Sequence, residues 1–202
     1  MENVEIQRIF SALGSSRRRQ ILADLAIRKL SVSEVAKMSG LTRAGASQYL
    51  TQLKKAGLVF AERSQYSIIY RLKADTAANQ IHQFVENTLA ITQQTFRQAQ
   101  VTHSTNNHLG GRQSTFRAMC SPHRRRIVTL LAGGELSVEN LAARCNLSRE
   151  NTSFHLAVLK KADFVTFESQ SAKHLYRLIA EAFANALNGY ADGLLAASQD
   201  KS

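Results

Sequence analysis

The chain has 202 residues, 26 Lys and Arg against 15 Asp and Glu, and a formal charge of +11. A basic, 44% apolar composition excludes a disordered acidic tail and points to a globular protein with a polyanionic partner, nucleic acid first among them, although charge alone does not exclude an anionic membrane. No apolar run approaches the roughly 18 residues of a membrane span, and the start Met1-Glu2-Asn3-Val4-Glu5 lacks the apolar stretch of a signal peptide. With only Cys120 and Cys145 present, a disulfide framework is not expected and a reducing cytoplasm is the expected location.

Along the chain, Ile6, Ile9, Phe10 and Leu13 recur at helical spacing and stop at Gly14. Ser15-Ser16 then opens a second helix with Ile21, Leu22 and Leu25 on its inner side. Leu30-Ser31-Val32 reads as a short extended bridge, and Ser33 or Ser31 starts the next helix, which Gly40 ends. Thr42 to about Ala56 forms another helix with Ala46, Leu50 and Leu53 inward, stopped by Gly57. Two β-rich runs, residues 58–63 and 68–72, flank a polar turn and predict a hairpin. Ile81, Val85, Leu89, Thr92 and Phe96 then stripe a last helix reaching about residue 100. Val101 to Arg112 is polar, ends in Gly110-Gly111, and reads as a linker.

The same series then begins again. Residues 9–72 align with 115–178 without a gap, and 25 of 64 positions are identical. A period of 106 residues is a whole domain rather than a solenoid repeat. The expected organisation is a first domain at 1–100, a linker at 101–112 and a second domain at 113–202. Ser121-Pro122 is a strong helix start, Phe164 to Ser169 and Lys173 to Leu178 form the second hairpin, and Ile179, Phe183, Leu187, Tyr190 and Leu194 stripe the last helix. Where the first copy has Gly57 the second has Asp163, at a cost if the backbone there is left-handed.

Helix, helix, short strand, helix, helix, hairpin, helix is the order of a winged helix-turn-helix. The resemblance is to the ArsR-type bacterial repressors and covers nearly all of both halves. It rests on Ser121-Pro122-His123-Arg124-Arg125-Arg126-Ile127-Val128, on its weaker copy at residues 16–22, and on the segments Leu147 to Leu156 and Leu41 to Leu50. In the first copy Tyr49 stands where the second has His155. The resemblance implies a fold that is mainly α with small β-hairpins, an α+β winged helix used twice. It also implies a DNA-binding repressor whose outer helices pair two winged-helix units.

The side chains suit that role. A recognition helix presents short polar residues at its N-terminal end, where phosphates and base edges approach. Thr42, Arg43, Ser47 and Gln48 fit, with Arg43 suited to guanine and Gln48 to adenine. Ser148, Arg149, Asn151 and Ser153 occupy the matching or neighbouring places, and Arg63 and Lys173 flank the hairpin turns within reach of phosphate. Glu150 and Phe154 stand where the first copy has Ala44 and Gln48. A carboxylate there repels phosphate unless it accepts from a cytosine amino group, which makes the first copy the stronger expected reader. Arg17-Arg18-Arg19 and Arg124-Arg125-Arg126 read as helix faces with at least one salt bridge within the domain in each run.

Metal release is disfavoured. The start of the third helix in each copy, residues 30–34 and 136–140, lacks cysteine, and His82 with Glu86 is a surface pair rather than a ligand set. No cofactor or metal is expected, and no catalytic constellation is present. Two other readings remain. One is a protein-interaction module on a winged-helix scaffold, such as an anti-repressor or adaptor. The other is a thiol-switched repressor using Cys120, beside Arg124, or Cys145. The apolar stripes of the last helices can join two halves of one chain as a pseudo-dimer, pair two chains as a homodimer, or be buried within each domain.

Overall fold

Both copies fold into the same series of elements, and local chemistry sets their ends. The computed structural model describes residues 4–64, 67–93, 113–170 and 173–199, so Phe96 and the linker at 101–112 lie outside the described residues, as does the side chain of Thr92. The first repeat comprises α1 (Val4–Leu13), α2 (Ser16–Ile27), β1 (Leu30–Ser31), α3 (Val32–Ser39), α4 (Arg43–Lys55), β2 (Val59–Arg63), β3 (Ile68–Leu72) and α5 (Asp75–Gln93). The second comprises α6 (Gln113–Met119), α7 (Pro122–Ala132), β4 (Leu136–Ser137), α8 (Val138–Cys145), α9 (Arg149–Lys161), β5 (Val165–Gln170), β6 (Lys173–Leu178) and α10 (Ala180–Gln199).

Ser31, rather than Ser33, starts α3: its hydroxyl accepts from the Glu34 amide while the Glu34 carboxylate accepts from the Ser31 amide, a reciprocal capping box. The Glu34 carboxyl is accordingly held below its ordinary range by those Ser31 hydrogen bonds. Helix α3 ends at left-handed Gly40, and Asn146 adopts the same conformation after α8. Gly57 and Asp163 are also left-handed, at φ 70° and 59°. The cost expected at Asp163 is therefore present in the backbone. Each repeat carries a three-stranded antiparallel sheet, β1-β3-β2 and β4-β6-β5, with Leu30 opposite Tyr70 and Leu136 opposite Tyr176.

The two repeats share one core. Helices α5 and α10 pack along each other, α1 packs against α6, and α5 meets α7 as α10 meets α2. Buried residues from both repeats form a single apolar cluster that includes Phe10, Ile81, Val85, Phe116, Phe183, Leu187, Tyr190 and Leu194. The stripes of the last helices thus meet each other within one chain.

The contacts across this seam obey a local two-fold relation, with position i of the first repeat matching i + 106 of the second. The Arg19 guanidinium lies 5.5 Å from the Phe116 ring centroid, and its counterpart Arg125 lies 5.9 Å from that of Phe10, the counterpart of Phe116. Such reciprocity is the signature of an isologous interface, here built inside one polypeptide. Ring edges continue the packing from Phe10 to Phe84 (5.5 Å) and from Phe84 to Phe183 (6.1 Å), geometries favoured by aromatic quadrupoles. The symmetry is broken at Gly14 and its counterpart Cys120. The Cys120 thiol donates to the Phe10 carbonyl at 3.1 Å and fills the space a side chain on Gly14 would need. Gln7 bridges the same junction, donating to the Cys120 carbonyl and accepting from Arg125.

The arginine runs differ from the sequence expectation. Arg18 donates to the carbonyls of Ser11 and Ala12, and Arg19 to that of Leu13. Their counterparts Arg124 and Arg125 bond to the carbonyls of Arg117, Ala118 and Met119. The last carbonyls of a helix are unpaired acceptors at its negative end, and these guanidinium forks cap α1 and α6. In the first run these carbonyls take the place of the carboxylate expected there. Burial lowers the pKa of Arg18, Arg19 and Arg124, but arginine stays charged across the accessible range.

Candidate nucleic-acid interface

Helices α4 and α9 each bury one side and leave the other open. Ala46, Leu50 and Leu53 are buried in α4, and Thr152, Leu156 and Leu159 in α9. Thr42, Arg43, Ser47, Gln48, Ser148, Arg149, Asn151 and Ser153 are all exposed, so every residue expected on the recognition helices stands on an open face. The Thr42 hydroxyl accepts from the Gly45 amide at 3.1 Å and the Ser148 hydroxyl from the Asn151 amide at 3.2 Å. Both hydroxyls are therefore used as helix caps, which leaves Arg43, Ser47 and Gln48 as the free contact groups of α4. Each helix carries an exposed arginine at its first position, at the positive end of the helix dipole.

Tyr49 and His155 are half-buried behind this face and contact the capping arginines. The Arg18 guanidinium lies 5.9 Å from the Tyr49 ring centroid, and Arg124 Nη1 lies 3.5 Å from His155 Nδ1. His155 also stacks on His123 at 5.6 Å. Partial burial, then the charges of Arg124 and His123, push its pKa below the ordinary histidine value.

The hairpins place the wing residues. Arg63 ends β2 opposite Ile68, with an exposed side chain; Lys173 begins β6 opposite Gln170. In the first repeat Arg63 and Arg43 share a groove of about 690 Å³ with Lys54, Ala61, Ser64, Ser67 and Ile68, between the recognition helix and the wing. Three cations thus line one open channel. Sequence reasoning missed Lys54, whose signal was the repeated Leu-Lys-Lys-Ala at 53–56 and 159–162. In the second repeat Phe167 replaces Ala61, and Lys160, the counterpart of Lys54, lies 4.2 Å from its ring centroid.

A second difference separates the two heads. Arg149 Nε pairs with Glu139 Oε1 at 3.3 Å, whereas the counterpart of Glu139 is Ser33. Glu150 is exposed in the first turn of α9, its carboxyl held below the ordinary range by its own amide and the Ser148 hydroxyl. Phe154 is 63% exposed and shares a groove of about 580 Å³ with Ser114, Arg117, Arg124, Val158 and Lys161.

The groups weighed for sensing sit elsewhere. His82 pairs with Asp192 of the other repeat at 3.0 Å, not with Glu86, and among the described residues no group of three or more His, Cys, Asp or Glu side chains comes together. Burial raises the Cys120 pKa despite Arg124, Arg125, Arg18 and Arg19 nearby. It also raises that of buried Cys145. Arg124 lowers the Cys120 pKa only where the thiol is exposed; half-buried Cys120 has its pKa raised by desolvation of the thiolate instead. Among the described residues no helix is long and apolar enough to cross a membrane.

Two exposed recognition helices, each backed by a hairpin, define a tandem winged helix-turn-helix regulator that binds DNA. Comparison with known proteins specifies the type. Residues 15–60 match the family described as bacterial regulatory protein, arsR family, and residues 119–166 match a helix-turn-helix domain family. The transcriptional repressor SdpR of Bacillus subtilis is 29% identical over 75 residues, which span 37% of this chain and 83% of that protein. The HTH-type transcriptional regulator KmtR of Mycobacterium tuberculosis is 38% identical over 65 residues, 32% of this chain and half of that protein. Among solved structures, reduced HlyU from Vibrio cholerae covers 47% of this chain and 92% of its own, at 24% identity and a TM-score of 0.35. The chain is a DNA-binding transcriptional regulator with two helix-turn-helix units in tandem, the first of which is similar to the arsR family of bacterial regulatory proteins.

Proposed function

We propose that one chain acts as a self-contained pseudo-dimeric repressor. The observation that carries this reading is the seam: α5 on α10, α1 on α6, and the reciprocal Arg19–Phe116 and Arg125–Phe10 contacts. A single polypeptide then presents α4 and α9 as the two reading elements that homodimeric regulators assemble from two subunits. Arg43, Ser47 and Gln48 enter the major groove, while Arg63 and Lys54 take phosphate along the adjacent wing groove; in the second head Arg149, Asn151 and Ser153 enter and Lys173 serves the wing. Repression follows by occlusion of a promoter, in the cytoplasm at the nucleoid, without catalysis. Gel-shift titration with DNA upstream of its own gene tests the reading. The affinity is expected to fall by orders of magnitude between about 50 and 200 mM salt, as several phosphate contacts require. Saturable binding to a partner protein with no sequence-selective DNA binding at any operator would instead support the interaction-module reading.

A further inference from the structure

The two recognition helices share a framework and differ most sharply in chemistry at two open positions. Ser148 and Thr42 are both caps, Arg149 and Arg43 both stand at the first helical position, and Ser153 and Ser47 are the same residue on the same exposed face. Against that constant background Ala44 becomes Glu150 and Gln48 becomes Phe154. These residues are four apart, hence on one side of the helix, and both are exposed. Exposed Asn151 in place of Gly45 is a further difference on this face, but Glu150 and Phe154 carry the largest changes of chemistry.

Their chemistry is opposite to that of their counterparts. A glutamine donates and accepts with the adenine edge, whereas a phenylalanine ring gives only apolar contact, for which the thymine methyl is the major-groove partner. A carboxylate accepts and does not donate, and the cytosine amino group is the matching base donor. The helix-end hydrogen bonds hold the Glu150 carboxyl below its ordinary range, and it lies one turn from the exposed Phe154 side chain. The cations are also arranged differently around the second head: Glu139 engages Arg149, Lys160 lies 4.2 Å from the Phe167 ring centroid, and Arg117, Arg124 and Lys161 line the groove that holds Phe154.

Resting on the DNA-binding reading above, we infer that Glu150 and Phe154 are specificity determinants that make the operator a composite of two unlike half-sites. The first head reads guanine and adenine through Arg43 and Gln48. The second reads cytosine through Glu150 and a neighbouring thymine methyl through Phe154.

The test is selection of binding sites from random duplex DNA with the full chain, its Glu150→Ala/Phe154→Gln variant and the reciprocal Ala44→Glu/Gln48→Phe variant. All four positions are on the surface, and circular dichroism confirms that each variant folds. The wild-type chain is expected to select an asymmetric site. The first variant is expected to select an approximate inverted repeat of the first half-site, losing roughly tenfold in affinity for the wild-type site. The reciprocal variant is expected to change only the other half. A symmetric wild-type site, or a second half-site indifferent to Glu150 and Phe154, overturns the inference. Enrichment of one half-site alone also overturns it, since the second head would then read no bases. Failure to enrich any sequence overturns the DNA-binding reading itself.

Discussion

Gly14 and Cys120 test whether the two repeats meet inside one chain. A Cβ built on Gly14 would stand 2.4 Å from Cys120 Sγ, while its next neighbours, the carbonyls of Phe10 and Ser11, lie at 3.4 and 3.6 Å. Only the sulfur is in the way, and it falls about 1 Å short of ordinary van der Waals contact. Gly14→Ala therefore overpacks the seam at a cost of ~1–3 kcal/mol, a fall in Tm of roughly 2–10 °C for a chain of this size. Cys120→Ala alone costs about 1 kcal/mol through its lost packing and thiol contact. In the Cys120→Ala background the Gly14→Ala change meets nothing closer than ordinary contact, so its cost vanishes. The double-mutant cycle, read by urea unfolding monitored by circular dichroism, is expected to give a coupling of ~1–3 kcal/mol with a midpoint independent of protein concentration. Additivity to within about 0.5 kcal/mol would refute the seam, because it would mean the two residues do not touch. Coupling with a concentration-dependent midpoint would place the contact between chains.

Three further outcomes are expected. Glu139→Ser, which gives the second repeat the Ser33 of the first, frees Arg149; operator affinity rises and the slope of log affinity against log salt steepens by about one unit, measured by fluorescence anisotropy. The lowered pKa of His155 means that folding favours its neutral form, so its contribution is present above the unfolded value of about 6.5 and is lost as pH falls through that value toward the folded one. His155→Tyr, the residue of the first repeat, is therefore expected to lose less stability than wild type between pH 7.5 and 5.5 in parallel urea titrations; equal losses would contradict the assignment. Asp163→Gly, at φ 59°, relieves a left-handed backbone and raises stability by up to ~1 kcal/mol in the same unfolding assay, with unchanged DNA affinity.

The fold was legible because the duplication doubled every signal. Gly40 and Asn146, or Gly57 and Asp163, mark the same helix ends with different residues, and the alignment makes the weaker member readable from the stronger. Binary patterning likewise placed the buried side of α4 and α9, which left the reading residues on the remaining face. What a linear reading could not supply was partner identity at a distance. The arginine runs looked like charge patterning, yet Arg18 and Arg19 serve carbonyls six or seven residues upstream. His82 had a carboxylate one turn away and chose Asp192, 110 residues on, because α5 lies against α10. The apolar stripes admitted three pairings, and the packing of α5 against α10 in this chain is the contact on which the pseudo-dimer proposal rests. Cys120 near arginines suggested an activated thiol, and only burial, which sequence does not carry, reverses that sign.

The most direct test of the central claim is the stoichiometry of the operator complex, from its mass by light scattering together with a footprint on the same DNA. The account predicts one chain per operator and protection of about 20 base pairs or more, with two reading elements one helical turn apart. Two chains on a site of that length, or one chain protecting only about half of it, would contradict it.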